Sequence, residues 1–92
     1  MNVLILGSGG REHALAYTVS KSSKCSNLFV MPGNPGMENI ATCLDLNPLN
    51  HEQIKATVSK YKINLIIPGS EVYLENGVAD EFIESDVIVF GP

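Results

Sequence analysis

The chain has 92 residues, 45% hydrophobic and 17% charged, with a formal net charge of −4. This composition suits one globular domain and excludes a disordered tail, and its six scattered Lys and Arg offer no basic stripe for nonspecific nucleic-acid binding. No apolar run approaches the roughly 20 residues of a membrane helix, and Cys25 and Cys43 lack a metal-ligand spacing, so no metal site and a reducing, cytoplasmic setting are expected.

In chain order, residues 3–6 (Val-Leu-Ile-Leu) predict a buried strand that stops at Gly7-Ser8-Gly9-Gly10. Met1 leads into that strand with no charged leader, which reads as the start of the fold. A helix is expected over 11–22, with Ala14, Leu15, Thr18 and Val19 on its inner face and Lys21 and Lys24 near its negative pole. Residues 27–31 form a second strand, followed by the turn-rich loop Pro32-Gly33-Asn34-Pro35-Gly36, whose glycines allow positive φ and whose prolines stiffen it. A short strand is expected over 40–44.

A second helix starts at Asn50, an N-cap with Gln53 at the reciprocal capping-box position, and carries Ile54, Val58 and Tyr61 on one face. Residues 64–67 form another strand, ended by Pro68-Gly69. A last helix over 76–84 turns Val78, Ala79, Phe82 and Ile83 inward, and a strand over 87–90 closes the set. Strands alternating with helices at these spacings predict an open, doubly wound parallel α/β sheet of Rossmann-like type. Ligands of such sheets gather beyond the carboxyl ends of the strands, here the loops beginning at Gly7, Pro32, Pro68 and Gly91. The chain reads as a single domain, 1–92, of a longer protein.

The first loop carries the chemistry. A strand feeding a glycine turn into a helix leaves helical N–H groups unpaired and facing outward, with the positive end of the dipole behind them. Gly9 and Gly10 let an anion approach the backbone, and Arg11 adds a planar cation. The dinucleotide fingerprint requires a third glycine where Glu12 stands and an acid after the second strand where Pro32-Gly33-Asn34 follows. Both departures argue against a nicotinamide or flavin dinucleotide and for a smaller phosphorylated ligand.

Gly7-Ser8-Gly9-Gly10-Arg11-Glu12-His13-Ala14, Pro32-Gly33-Asn34-Pro35-Gly36, Gly69-Ser70-Glu71 with Leu74 and Gly77, and Phe90-Gly91-Pro92 together resemble the amino-terminal domain of the phosphoribosylamine–glycine ligases. These glycinamide ribonucleotide synthetases are ATP-grasp enzymes of de novo purine synthesis. The resemblance implies a pre-ATP-grasp domain of an ATP-dependent C–N ligase that joins glycine to 5-phosphoribosylamine through a glycyl phosphate. It also implies ATP and Mg2+ held mainly in later domains, and a segment that helps hold the phosphoribosyl substrate but is inactive alone. Family members read Gly-Pro-Glu-x-Pro-Leu where this chain has Gly69-Ser70-Glu71-Val72-Tyr73-Leu74, so both prolines are replaced while the glutamate stays.

The expected substrate-binding residues are Gly9, Gly10 and Arg11 at the phosphate and Glu71 as acceptor for ribose hydroxyls or the amine, with Gly33 and Asn34 as wall residues. Glu12 reads as compensation of the helix dipole, and His13 either bonds a phosphate or packs beneath the loop, the structural role being the commoner one for a lone histidine. Two other readings stay open: a stand-alone nucleotide-binding module, and a structural segment without a ligand. Nucleic acid and membrane are not expected partners.

Overall fold

Two strands with both faces covered run through the middle of the molecule, β1 (Asn2–Gly7) and β2 (Asn27–Pro32). Residues 3–6 and 28–31 are buried without interruption, which is why both strands read in sequence as continuous apolar runs. The computed structural model describes residues 1–90 and completes a five-stranded, all-parallel sheet with β3 (Thr42–Cys43), β4 (Leu65–Pro68) and β5 (Ile88–Val89). The order is β3-β2-β1-β4-β5, with Leu4 opposite Phe29 on one side and Ile66 on the other. Asparagines set the register where these strands begin. Asn27 Nδ2 donates to Asn2 Oδ1 at 2.9 Å, and the Asn2 N–H donates to Asn64 Oδ1 at 2.7 Å.

Alternate strand residues serve two cores. Val3, Ile5, Leu28 and Val30 pack with Ala16 of α1 (Gly10–Ser20) and Met37 of a 3-10 turn (Pro35–Met37). Leu4, Leu6, Met31 and Ile66 pack with Ile54 of α2 (His51–Tyr61), Val78 of α4 (Val78–Glu81) and Phe82 just beyond it. Full burial of each such side chain stabilises by about 1.5–3 kcal/mol before entropy is counted. The doubly wound parallel sheet expected from the sequence is therefore present, and among the described residues no helix is long and apolar enough to cross a membrane.

Four local expectations are corrected. Helix α1 turns Glu12, Leu15, Ala16 and Val19 inward, whereas Ala14 and Thr18 are exposed. The helix expected over 76–84 is only the four-residue α4, and a short helix not expected from the sequence, α3 (Glu71–Glu75), precedes it, the two broken at Gly77, whose φ of 87° is a conformation that glycine adopts freely. Val78 and Phe82 point inward as expected, but Ala79 and Ile83 are exposed, Ile83 to 76%. At α2, Asn50 Oδ1 accepts from the Gln53 N–H at 3.0 Å, while Gln53 Oε1 accepts from the Asn47 N–H at 2.6 Å, so the reciprocal bond serves the preceding turn rather than the cap itself. Finally, β3 and β5 are two-residue edge strands, shorter than the runs over 40–44 and 87–90. The loop expected to begin at Gly91 lies outside the described residues.

The topology also locates a crevice. From β1 the chain moves through α1 to β2 on one side; later it returns through α2 to β4 on the other. The order thus reverses between β1 and β4, and their carboxyl ends open onto the place where such sheets bind ligands.

Candidate functional site at the carboxyl ends of β1 and β4

Gly7 ends β1 at a φ of 136°, which favours glycine, and its carbonyl accepts from the Gly33 N–H at 3.0 Å. On the far wall the Gly69 N–H donates to the Leu6 carbonyl at 2.8 Å, holding the β4–α3 loop against β1. Arg11 spans the opening, with Nη1 at 3.5 Å from the Gly69 carbonyl. This distance is at the outer limit of a hydrogen bond, so the guanidinium keeps donor capacity for a ligand.

Arg11 and Glu71, the two charged residues singled out in sequence, lie in one groove of about 540 Å³. Thr18, Ser70, Leu74 and Phe90 also line it. Helical spacing explains the α1 wall: with Glu12, Leu15, Ala16 and Val19 turned to the core side, Arg11, Ala14 and Thr18 stack along the groove. Ser70 is the N-cap residue of α3 without a side-chain cap bond, so Glu71 opens a helix rather than lying in an irregular loop. The sequence reading missed Ser70; its place directly before the candidate acid was the available signal.

Gly9 and Gly10, the N-cap and first residue of α1, are both exposed and immediately precede Arg11 in the chain, but they are not among the residues that line this groove. No side-chain cap bond forms at Gly9, and the first helical backbone bond is donated by His13 to the Gly9 carbonyl at 3.0 Å. The N–H groups of Gly10 and Arg11 are therefore offered outward at the positive end of an 11-residue helix. A Cβ at Gly10 would meet no atom within 4 Å, and one at Gly9 only Glu12 Oε2 at 3.5 Å. Neither position needs glycine for packing or for a left-handed φ.

Gly33 and Asn34 lie elsewhere. They line a separate concavity of about 230 Å³ with Glu38, Cys43 and Asp45, whose two carboxylates make it unfavourable for an anion. Gly33 has a φ of 73°, and a Cβ there would come within 2.6 Å of Cys43 Sγ. Asn34 braces two loops: Oδ1 accepts from the Gly36 N–H at 2.9 Å and Nδ2 donates to the Ser8 carbonyl at 2.7 Å. It thus holds the glycine turn from behind. Burial pushes the Cys43 thiol above its ordinary pKa, its Sγ donates to the Asn34 carbonyl at 3.6 Å, and His13 packs against Gly36.

Glu12 is the unexpected residue. It is only 8% exposed, the one charged side chain among the buried described residues. An added Cβ at either Gly7 or Gly69 would fall within its side chain, so its carboxylate lies between the two loops that wall the crevice. Burial and then the Glu12 charge hold the Tyr73 phenol above its usual range, which places Tyr73 of α3 near the same carboxylate.

Residues 1–92 match the family model described as phosphoribosylglycinamide synthetase, N domain. The chain is similar to the phosphoribosylamine–glycine ligase of Halalkalibacterium halodurans, with 45% identity over 92 residues, covering 100% of this chain and 22% of that protein. It is also similar to the ligase of the same name from Rhodopirellula baltica, with 43% identity over 91 residues, covering 99% of this chain and 21% of that protein. Among solved structures, the phosphoribosylamine–glycine ligase of Thermotoga maritima superposes with a TM-score of 0.62 and 27% identity, over 100% of this chain and 19% of that one. A saccharopine dehydrogenase of Saccharomyces cerevisiae superposes with a TM-score of 0.72 at 17% identity, over 96% of this chain and 20% of that one, a likeness of fold alone. The chain thus spans about a fifth of the length of the relatives it matches.

Proposed function

This chain belongs to the phosphoribosylglycinamide synthetase N-domain family, and from that membership we propose that it is the substrate-binding amino-terminal domain of a phosphoribosylamine–glycine ligase. The whole enzyme joins glycine to 5-phosphoribosylamine, with conversion of ATP to ADP and phosphate, in purine synthesis in the cytoplasm. Within it, this segment holds the phosphoribosyl substrate. The N–H groups of Gly10 and Arg11, opened by Gly9 and aided by the Arg11 guanidinium, take the phosphate. Glu71, across the groove, accepts from ribose hydroxyls or the amine. Gly33 and Asn34 line a separate concavity and do not touch the substrate; Asn34 supports the glycine turn from behind through the Ser8 carbonyl.

ATP and Mg2+ are bound mainly by regions outside this segment. Among the described residues no three His, Cys, Asp or Glu side chains come together.

The observation that carries the reading is Gly10. Glycine in a helix costs about 0.5–1 kcal/mol relative to alanine, and nothing in the fold here requires it. A backbone left bare at the open end of a helix, next to Arg11 in the chain, is suited to a phosphate that must come close. The test is amide-resolved NMR titration with ribose 5-phosphate. Shifts should concentrate at residues 7–13 and 69–74, with a dissociation constant on the order of millimolar for a half-site of few hydrogen bonds. Tight saturation by NAD, with ribose 5-phosphate silent, would support the stand-alone nucleotide module instead.

A further inference from the structure

We infer that Glu12 is a substrate-binding residue, the acceptor at the floor of the crevice for an O–H or N–H donor on the sugar. This inference rests on the phosphoribosyl reading and adds to it a contact deeper than Glu71. Three observations lead to it.

The first is position. The side chain fills the space left by the missing Cβ atoms of Gly7 and Gly69, with Oε2 reaching toward Gly9. It therefore sits where the sheet order reverses, between the carboxyl ends of β1 and β4. The second is its lack of a partner. Among the described residues ion pairs are confined to His51, Glu52, Lys55 and Glu81, and none of these residues donates a hydrogen bond to the Glu12 carboxylate. Thr57, the other buried polar residue, does find one, donating from Oγ1 to the Gln53 carbonyl at 2.8 Å. The third is access. Among the described residues no side-chain oxygen that lacks a partner is fully sealed from solvent, so the carboxylate reaches the surface of the crevice.

Compensation of the α1 dipole does not account for this arrangement. A carboxylate serving that purpose works equally well on the surface of the first turn, and one that supports its own helix would bond the N-cap amide; here no such bond forms. Two glycines instead make room for the acid, at Gly7 and at Gly69, although a carboxylate on the surface of the first turn would serve the dipole as well. A donor group arriving in the crevice supplies the missing partner. The charge also sorts the ligand by orientation: the phosphate is kept at the outer rim by Gly10 and Arg11, and the sugar's hydroxyls or amine face inward.

The experiment compares the 92-residue protein with Glu12→Gln, which keeps the shape and removes the charge, and Glu12→Asp, which withdraws the charge by one methylene. Each is titrated by NMR with ribose 5-phosphate and with inorganic phosphate, and each is melted. In both variants, ribose 5-phosphate affinity should fall about tenfold or more, the size of one hydrogen bond to a charged acceptor. Inorganic phosphate affinity should stay the same or rise in Glu12→Gln, whose Tm should not fall. Unchanged ribose 5-phosphate affinity with a lowered Tm would show a purely structural acid and overturn the inference while leaving the phosphoribosyl reading intact. Equal weakening of both ligands would overturn it as well. Wild-type protein that binds neither ligand would remove the phosphoribosyl reading itself.

Discussion

Replacing Gly10 by alanine should separate stability from binding. Gly10 is the first residue of α1, exposed and outside the left-handed region, and a Cβ there would meet nothing within 4 Å. Alanine lowers the freedom of the unfolded chain by about 0.4–1 kcal/mol where the native backbone accepts it. At a helix end we take about 0.5 kcal/mol, which raises Tm by roughly 2–4 °C in a domain of this size. The same methyl would occupy the space through which a phosphate approaches the Gly10 and Arg11 amides. Loss of one charge-assisted hydrogen bond, about 1.5–3 kcal/mol, weakens binding roughly ten- to hundredfold. Calorimetric melting and an NMR titration with ribose 5-phosphate on the same sample measure both quantities. A higher Tm with unchanged affinity would refute the phosphate cradle, and a Tm lowered by several degrees would refute the claim that the fold does not need this glycine.

Gly69→Ala should behave in the opposite way, because its Cβ would stand 2.6 Å from the Leu6 carbonyl oxygen and 2.7 Å from Glu12 Cδ; we expect about 1–3 kcal/mol of destabilisation by urea titration, and an unmoved midpoint would contradict the packed crevice floor. Lys62 closes α2 at a φ of 53°, a conformation that costs a non-glycine residue about 1 kcal/mol, so Lys62→Gly should raise stability by up to that amount, and a lowered Tm would contradict it. Glu81 is held below the ordinary carboxylate range by its hydrogen bond with His51, at 2.9 Å, and further by Lys55. A depressed folded-state pKa gives stability that is present above the unfolded value of about 4.3 and lost as pH falls through the folded one. Wild-type Tm should therefore drop more steeply than that of Glu81→Gln below about pH 5, and parallel curves would contradict the linkage.

What the sequence revealed and what it hid follow from burial. Strands β1 and β2 are covered on both faces, so their residues had to be apolar throughout, and both were legible. Strands β3 and β5 lie at the sheet edges with two residues each, too short for a pattern to develop. Helix α3 was hidden because five residues following Pro68-Gly69 carry no helical period, and Gly77, which breaks α3 from α4, sits among residues otherwise compatible with a helix. At α1 the expected inner face was rotated because periodicity favours apolar side chains over an acid. The helix instead buries Glu12 and turns Ala14 and Thr18 to the groove. A charge at a core-facing position is a local violation of the pattern, and such violations concentrate at functional sites. Arg11 and Glu71 were legible as candidates because each follows a glycine at a strand end; only the fold brings them into one groove and puts Gly33 and Asn34 in another.

The central claim is that ligand enters between the carboxyl ends of β1 and β4. Intermolecular nuclear Overhauser effects between ribose 5-phosphate and the uniformly labelled protein test it most directly. Cross-peaks from the sugar protons to the Gly10 amide, the Leu74 methyls and the Glu71 side chain are the expected result. Cross-peaks confined to the concavity of Asn34, Cys43 and Asp45 would contradict it.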